Sequence, residues 1–151
     1  MPTLTLKEPS PFSPRQIYDM VADVARYPQF LPWCRAARLT PVHETEFLAE
    51  LVVAFAHITE QYTSRVTLHP PVHDHAEARV DAIMVKGPFH HLTNYWVLRP
   101  LPDGGTEICL DLDFQFKSRM LDMLIGGFFQ RASEKMVAAF RERAVALYGS
   151  R

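Results

Sequence analysis

Cysteine is scarce: Cys34 and Cys109 are the two in 151 residues. Two thiols do not make the disulfide framework of a small secreted scaffold, and they fit a reducing compartment. Long apolar runs are also missing. None approaches the roughly 18 residues that a membrane-crossing helix needs. The opening Met1-Pro2-Thr3-Leu4-Thr5 has neither a basic n-region nor an apolar h-region, so no signal peptide is expected. An excess of one charge is absent too, with 16 basic residues against 17 acidic and a formal net charge of −1. That removes a global pull toward nucleic acid or anionic lipid and leaves only local patches to consider. The expected location is the cytoplasm. Internal repeats, low-complexity tracts, Gly-x-Ser-x-Gly, a phosphate loop and His-Glu-x-x-His are all lacking. No catalytic constellation remains, so a binding protein is expected rather than an enzyme. His69, His73, Asp74 and His75 lie around a Pro70-Pro71 loop rather than on one helix face, with no cysteine pair beside them. Neither a metal nor a cofactor is expected.

What is present is periodicity. At 48% hydrophobic and 22% charged residues, the chain suits one globular domain over 1–151. Leu4 and Leu6 alternate in a first strand over Thr3 to Glu8. Ser13-Pro14 opens a helix carrying Ile17, Met20, Val21 and Val24, and Pro28 and Pro32 allow only a short helical turn over Tyr27 to Leu31. A weak strand over Arg35 to Val42 precedes clean ones over Glu46 to Ala56, Ile58 to Leu68, His75 to Met84, His91 to Leu98 and Glu107 to Phe116. One wet and one dry face along each predicts an antiparallel sheet. Pro102-Asp103-Gly104-Gly105 is a tight turn. Arg119 to Tyr148 reads as a single helix, roughly 45 Å long, capped by Ser118 and stopped by Gly149. A kink is expected at Gly126-Gly127. A helix this long needs the sheet to wrap around it. The predicted architecture is α+β: a curved antiparallel sheet of six to seven strands around a long C-terminal helix, with two short helices near the N-terminus. This is the helix-grip arrangement.

Particular residues then carry a likeness. Asp23-Val24-Ala25-Arg26-Tyr27-Pro28-Gln29-Phe30-Leu31-Pro32-Trp33-Cys34, Tyr62 to Val66, Gly87-Pro88-Phe89 with Leu92 and Trp96, Phe114 to Ser118 and Met136 to Ala144 resemble the coenzyme Q-binding proteins of the START-like superfamily. That superfamily also holds polyketide cyclases, lipid-transfer domains and ribosome association toxins. Where glycine and then a basic residue would flank Phe55, Ala54, Ala56 and His57 stand instead. The resemblance implies a carrier or chaperone of ubiquinone or a related prenyl lipid, serving respiration and touching the inner-membrane surface transiently. Two alternatives stand beside it. A ribosome-binding toxin that blocks subunit association predicts an RNA-facing cluster drawn from Arg35, Arg38, Arg65, Arg79 and Lys86. An aromatic cyclase predicts pocket acids, for which Glu60 is the candidate.

An apolar ligand needs an apolar cavity and a few orienting polar groups. The inward-phase residues expected to line it are Trp33, Val53, Phe55, Tyr62, Val66, Met84, Phe89, Trp96, Leu112, Phe116, Leu124 and Phe128. Tyr62, Ser64 and Asn94 share the apolar phase and need partners, either one another or a ligand. Gly87-Pro88-Phe89 is the expected gate, working against the Gly126-Gly127 kink. Met120 to Phe129 is apolar nearly all round. It forms a membrane-facing mouth or a homodimer contact, unless the monomer buries it.

Overall fold

The computed structural model describes residues 3–55 and 58–149, without the side chain of Phe55. Seven strands form one antiparallel sheet: β1 (Thr3–Ser10), β2 (Cys34–His43), β3 (Glu46–Phe55), β4 (Ile58–His69), β5 (Ala78–Lys86), β6 (Phe89–Pro100) and β7 (Thr106–Phe116). Their spatial order is β1-β7-β6-β5-β4-β3-β2, so the first strand closes onto the last and the remainder is a meander. Helix α1 (Pro14–Ala22) and a short 3₁₀ helix (Val24–Gln29) fill the long connection from β1 to β2. Helix α2 (Arg119–Tyr148) crosses the concave face. Register shifts at Cys34/Ala36, Thr63/Ser64 and Phe89/His91 help the strands bend around it.

Local chemistry places each element. Ser13 Oγ accepts from the Gln16 N–H at 3.2 Å while Gln16 Oε1 accepts from the Ser13 N–H at 3.0 Å, a reciprocal cap for α1. The second helical turn begins earlier than expected, at Val24 rather than Tyr27. Pro28 has no N–H to donate and is tolerated inside a short 3₁₀ turn. At the start of α2, Ser118 Oγ accepts from the Leu121 N–H at 3.3 Å, and Asp122 Oδ1 accepts from the Phe116 N–H at 3.1 Å. The helix is thereby tied to the end of β7. It runs without interruption through Gly126 to Tyr148. At its far end Tyr148 donates its hydroxyl to the Gln16 carbonyl at 2.7 Å, docking α2 on α1. Among the described residues, no helix is long and apolar enough to cross a membrane.

The core has two parts. The larger joins α1, the sheet centre and the C-terminal half of α2 through Ile17, Val21, Leu98, Leu110, Phe140 and Ala144. The smaller holds Phe89, Phe114, Phe116 and Ile125 at the other end of the helix. Between them lies the space that the fold leaves open.

Candidate functional site: an apolar cavity under the long helix

A cavity of about 190 Å³ lies between the concave face and α2. The alternation of each strand supplies its wall: Ala49, Leu51 and Val53 from β3; Tyr62, Ser64 and Val66 from β4; Val80 and Ala82 from β5; Leu92, Asn94 and Trp96 from β6; Leu112, Phe114 and Phe116 from β7. Tyr27, Leu31, Trp33 and Cys34 close one end, and Ile125, Phe129, Ala132, Ser133, Met136 and Phe140 of α2 form the roof. Among the described residues, none of those lining the cavity carries a formal charge. Phe89 is 4% exposed, stacked on Phe116 at 4.5 Å and edge-on to Tyr62 at 5.6 Å. The expected gate residue is thus packed into an aromatic cluster. Gly87, just before it, is required by close approach: an added Cβ would stand 2.6 Å from Tyr62 Cβ.

Most of the expected lining is brought together: Trp33, Val53, Tyr62, Val66, Phe89, Trp96, Leu112 and Phe116 all border the cavity. Three expectations need correction. Leu124 and Phe128 face outward, at 44% and 47% exposed, while Ile125 and Phe129 take the inward positions. The helix is rotated by one residue, because its first half is apolar at 121, 124, 125, 128 and 129 and every three- or four-residue step through them looks equivalent. Met84 lies at the edge of the smaller cluster, against Phe89 and its neighbours, instead of on the wall. The Phe55 side chain, Ala56 and His57 lie outside the described residues. Sequence reasoning missed Tyr27, Leu31 and Cys34. They sit in the motif that carries the family resemblance, beside Trp33.

Met120, Met123, Leu124 and Phe128 stay exposed, which rules out burial in the monomer for these four. This sets up a sharp contrast on one helix. Met123→Ser, at a position 80% exposed, should change unfolding stability by no more than about 0.5 kcal/mol. Ile125→Ala, at a position 4% exposed, should cost about 3 kcal/mol. Equal losses in urea unfolding would show that the helix rotation is wrong.

The polar groups of the cavity are few. Tyr27 donates its hydroxyl to the Val21 carbonyl and is thereby satisfied. Asn94 Oδ1 is buried with no partner among the described residues, and no hydrogen bond joins Tyr62, Ser64 and Asn94 to one another there. Burial raises the phenol pKa of both Tyr27 and Tyr62 well above the ordinary 10.0, and burial likewise raises the Cys34 thiol. A proton held more tightly in the folded state stabilises the fold below the unfolded pKa. That contribution is lost as pH climbs past it. Stability should therefore hold up to about pH 9 and fall above about pH 10, by up to about 1.4 kcal/mol per pH unit for each phenol. Urea titrations across this range test it. Tyr62→Phe should flatten the decline, and an undiminished slope in that variant would contradict the burial of this phenol.

Three of the five expected basic residues stand beside carboxylates. Arg65 pairs with Glu46 at 3.7 Å, Arg79 pairs with Asp81 at 2.9 Å, and Arg38 stands opposite Glu50 in the strand register. These three cations therefore have acidic neighbours on the sheet, Asp81 on the same strand as Arg79 and the other two across strands. Glu60 does not line the cavity, and among the described residues no group of three or more His, Cys, Asp and Glu is placed to hold a metal ion.

A seven-stranded sheet grips a C-terminal helix over an apolar hollow, and the sequence comparison gives the chain its family. The chain belongs to the polyketide cyclase/dehydrase and lipid transport family. The family's profile matches residues 10–141. A ribosome association toxin from Rickettsia prowazekii is 39% identical over 134 residues, covering 89% of this chain and 90% of its own. One of the same name from Escherichia coli is 31% identical over all of this chain and 92% of its own. A mitochondrial coenzyme Q-binding protein homologue from Xenopus laevis is 35% identical over 91% of this chain but 56% of its own. Among solved structures, an 18 kDa protein from Caulobacter crescentus superposes with a TM-score of 0.77 at 30% identity, covering 99% of this chain and 100% of its own.

These relatives overturn the expectation of a respiratory quinone carrier. Proteins named for ribosome association match this family member at 31–39% identity along nearly their whole length. The coenzyme Q-binding relative is matched over little more than half of its length.

Proposed function

We propose that this protein acts at the ribosome, binding a subunit and opposing subunit association. The observation that carries the reading is the alignment with relatives named ribosome association toxins, 39% identical over 89% of this chain in the Rickettsia prowazekii case. A cytoplasmic site of action goes with it. The role is one of binding rather than catalysis, which the described cavity wall supports: among the described residues it offers no carboxylate, imidazole or amine to move a proton.

The test is sedimentation. Purified protein is added in excess to a ribosome-containing extract at fixed magnesium, and the gradient is read for associated ribosomes and free subunits. The expected result is loss of associated ribosomes, gain of both subunits, and protein travelling with one of them. An unchanged profile with all the protein left at the top of the gradient would defeat the reading.

A further inference from the structure

The outer face of α2 carries a stripe that packing within the monomer leaves open. Met120, Leu124, Phe128, Arg131 and Lys135 follow one another at steps of four, four, three and four residues, so they lie along one line of the helix, and all five are exposed. The line is about 22 Å long. Arg119 precedes it and is exposed as well. Lys117 and Lys86 extend it past the start of the helix. The Lys117 N–H donates to the Pro88 carbonyl at 2.9 Å, which joins the end of β7 to the turn between β5 and β6. Met84 and Leu121 both pack on the Phe89 cluster, and Lys86 stands two residues beyond Met84 on the same face of β5. Lys86 therefore emerges beside the first turn of α2.

The charge of this stripe departs from that of the chain. Residues 117–135 hold four cations, Lys117, Arg119, Arg131 and Lys135, against the carboxylates Asp122 and Glu134, whereas the whole chain has 16 basic residues against 17 acidic. Both carboxylates have other tasks. Asp122 Oδ1 accepts from the Phe116 N–H at 3.1 Å, and Glu134 Oε1 accepts from the Gln130 side-chain amide at 3.4 Å. Among the described residues, Arg15, Arg26, Arg65, Arg79, Arg99 and Arg141 form ion pairs with carboxylates, and none of the cations of the stripe does. The result is a local positive field on a chain of formal net charge −1. Its cations share a line with Met120, Leu124 and Phe128. A helix lying in a bilayer surface needs a broad apolar face with its cations on the opposite side, and the sheet already takes that broad face of α2. A single RNA strand fits the line better, because its phosphates alternate with bases whose flat faces stack on exposed aromatic side chains. Paired RNA hides those faces, while loops and bulges present them.

We propose that this stripe is the docking surface for unpaired ribosomal RNA. Lys86, Lys117, Arg119 and Arg131 contact phosphates, and Phe128 stacks on a base between them. The proposal rests on the ribosome reading and adds to it the face that binds and the chemistry of what is bound.

The experiment measures binding of the whole protein to isolated ribosomal subunits across a potassium chloride series at fixed magnesium. Replacing Lys117, Arg119 and Arg131 together by glutamine should make the slope of log affinity against log salt shallower by about 2, since each lost contact with a single-strand phosphate removes roughly 0.7. Phe128→Leu keeps the position apolar but removes the ring, and should weaken binding about tenfold with the slope unchanged. Phe128→Trp keeps a stacking surface and should bind within about twofold of wild type. Arg99→Gln, at the far end of β6, is the control and should leave both affinity and slope as they are. All the substituted positions are exposed, so each variant should keep the wild-type circular dichroism. Wild-type affinity and slope in both the triple variant and Phe128→Leu would overturn the surface and leave the ribosome reading standing. If the wild type binds no subunit, that reading falls and the proposal with it. Variants that lose self-association or binding to anionic vesicles while holding subunits normally would give the stripe to a second copy or to a membrane, and would overturn the proposal too.

Discussion

Phe140→Ala should lower the unfolding free energy by about 3–5 kcal/mol, the range for removing a large buried aromatic. Phe140 is 8% exposed and stands among Tyr27, Phe30 and Trp96, with ring centroids 5.7, 5.2 and 5.1 Å away. Each contact joins a different part of the chain: the 3₁₀ helix, the segment after it, and β6. Losing the ring removes dispersion contacts on three sides at once. The hollow it leaves opens onto the cavity that Phe140 already lines, so the surroundings have little material with which to collapse. Leu147→Ala on the same helix is the control. It lies at a position 47% exposed and should cost little beyond the change in side chain. Equilibrium urea unfolding followed by circular dichroism reads both. A loss below about 1 kcal/mol for Phe140→Ala would mean that the aromatic cluster does not hold α2 to the sheet.

Gly105→Ala is the second large effect, and its origin is overpacking rather than a void. A Cβ at Gly105 would stand 2.3 Å from the backbone oxygen of Ser10. A backbone oxygen in a paired strand cannot rotate away, so β1 must move off β7 at the Ser10–Thr106 pair. That shift also pulls on the buried Thr106 hydroxyl, which donates to the Phe12 carbonyl at 2.7 Å and anchors the entry to α1. The expected loss is about 3 kcal/mol, at the upper end for inserting a methyl into a packed site. Neighbouring Gly104 separates sterics from conformation. It has φ of 90° and open space around it, so Gly104→Ala should cost only about 1–2 kcal/mol through backbone conformation. If the two alanine variants lose the same stability, close approach to Ser10 is not what Gly105 provides.

The strands were legible because alternation has a period of two and leaves no choice of face. Once Leu51 and Val53 point inward, so must Ala49, and the wall of the cavity follows residue by residue from β3 to β7. Caps were legible for a similar reason: Ser13 and Ser118 each carry an oxygen where helix N–H groups go unpaired, and both accept as expected. The roof was not legible. Leu124 and Ile125 are adjacent in sequence yet about 100° apart around the helix. With both apolar, composition cannot choose between them. The fit of Ile125 into the Phe89, Phe114 and Phe116 cluster makes the choice.

Function divided along the same line. The motif around Tyr27 to Cys34 is the most specific of the segments that carry the family resemblance, since an aromatic and proline pattern of that density is a local property. A set of arginines, by contrast, has no meaning until strand pairing gives it neighbours. Register sets Glu50 opposite Arg38 and Glu46 within reach of Arg65, so cations counted along the chain acquire acidic neighbours on the sheet. The linear order of residues settled periodicity, caps and kinship, all of which act over a few bonds. Helix rotation and the Asn94 acceptor left without a partner among the described residues depend on groups far apart in the chain meeting at van der Waals distance, and only the folded molecule decides that.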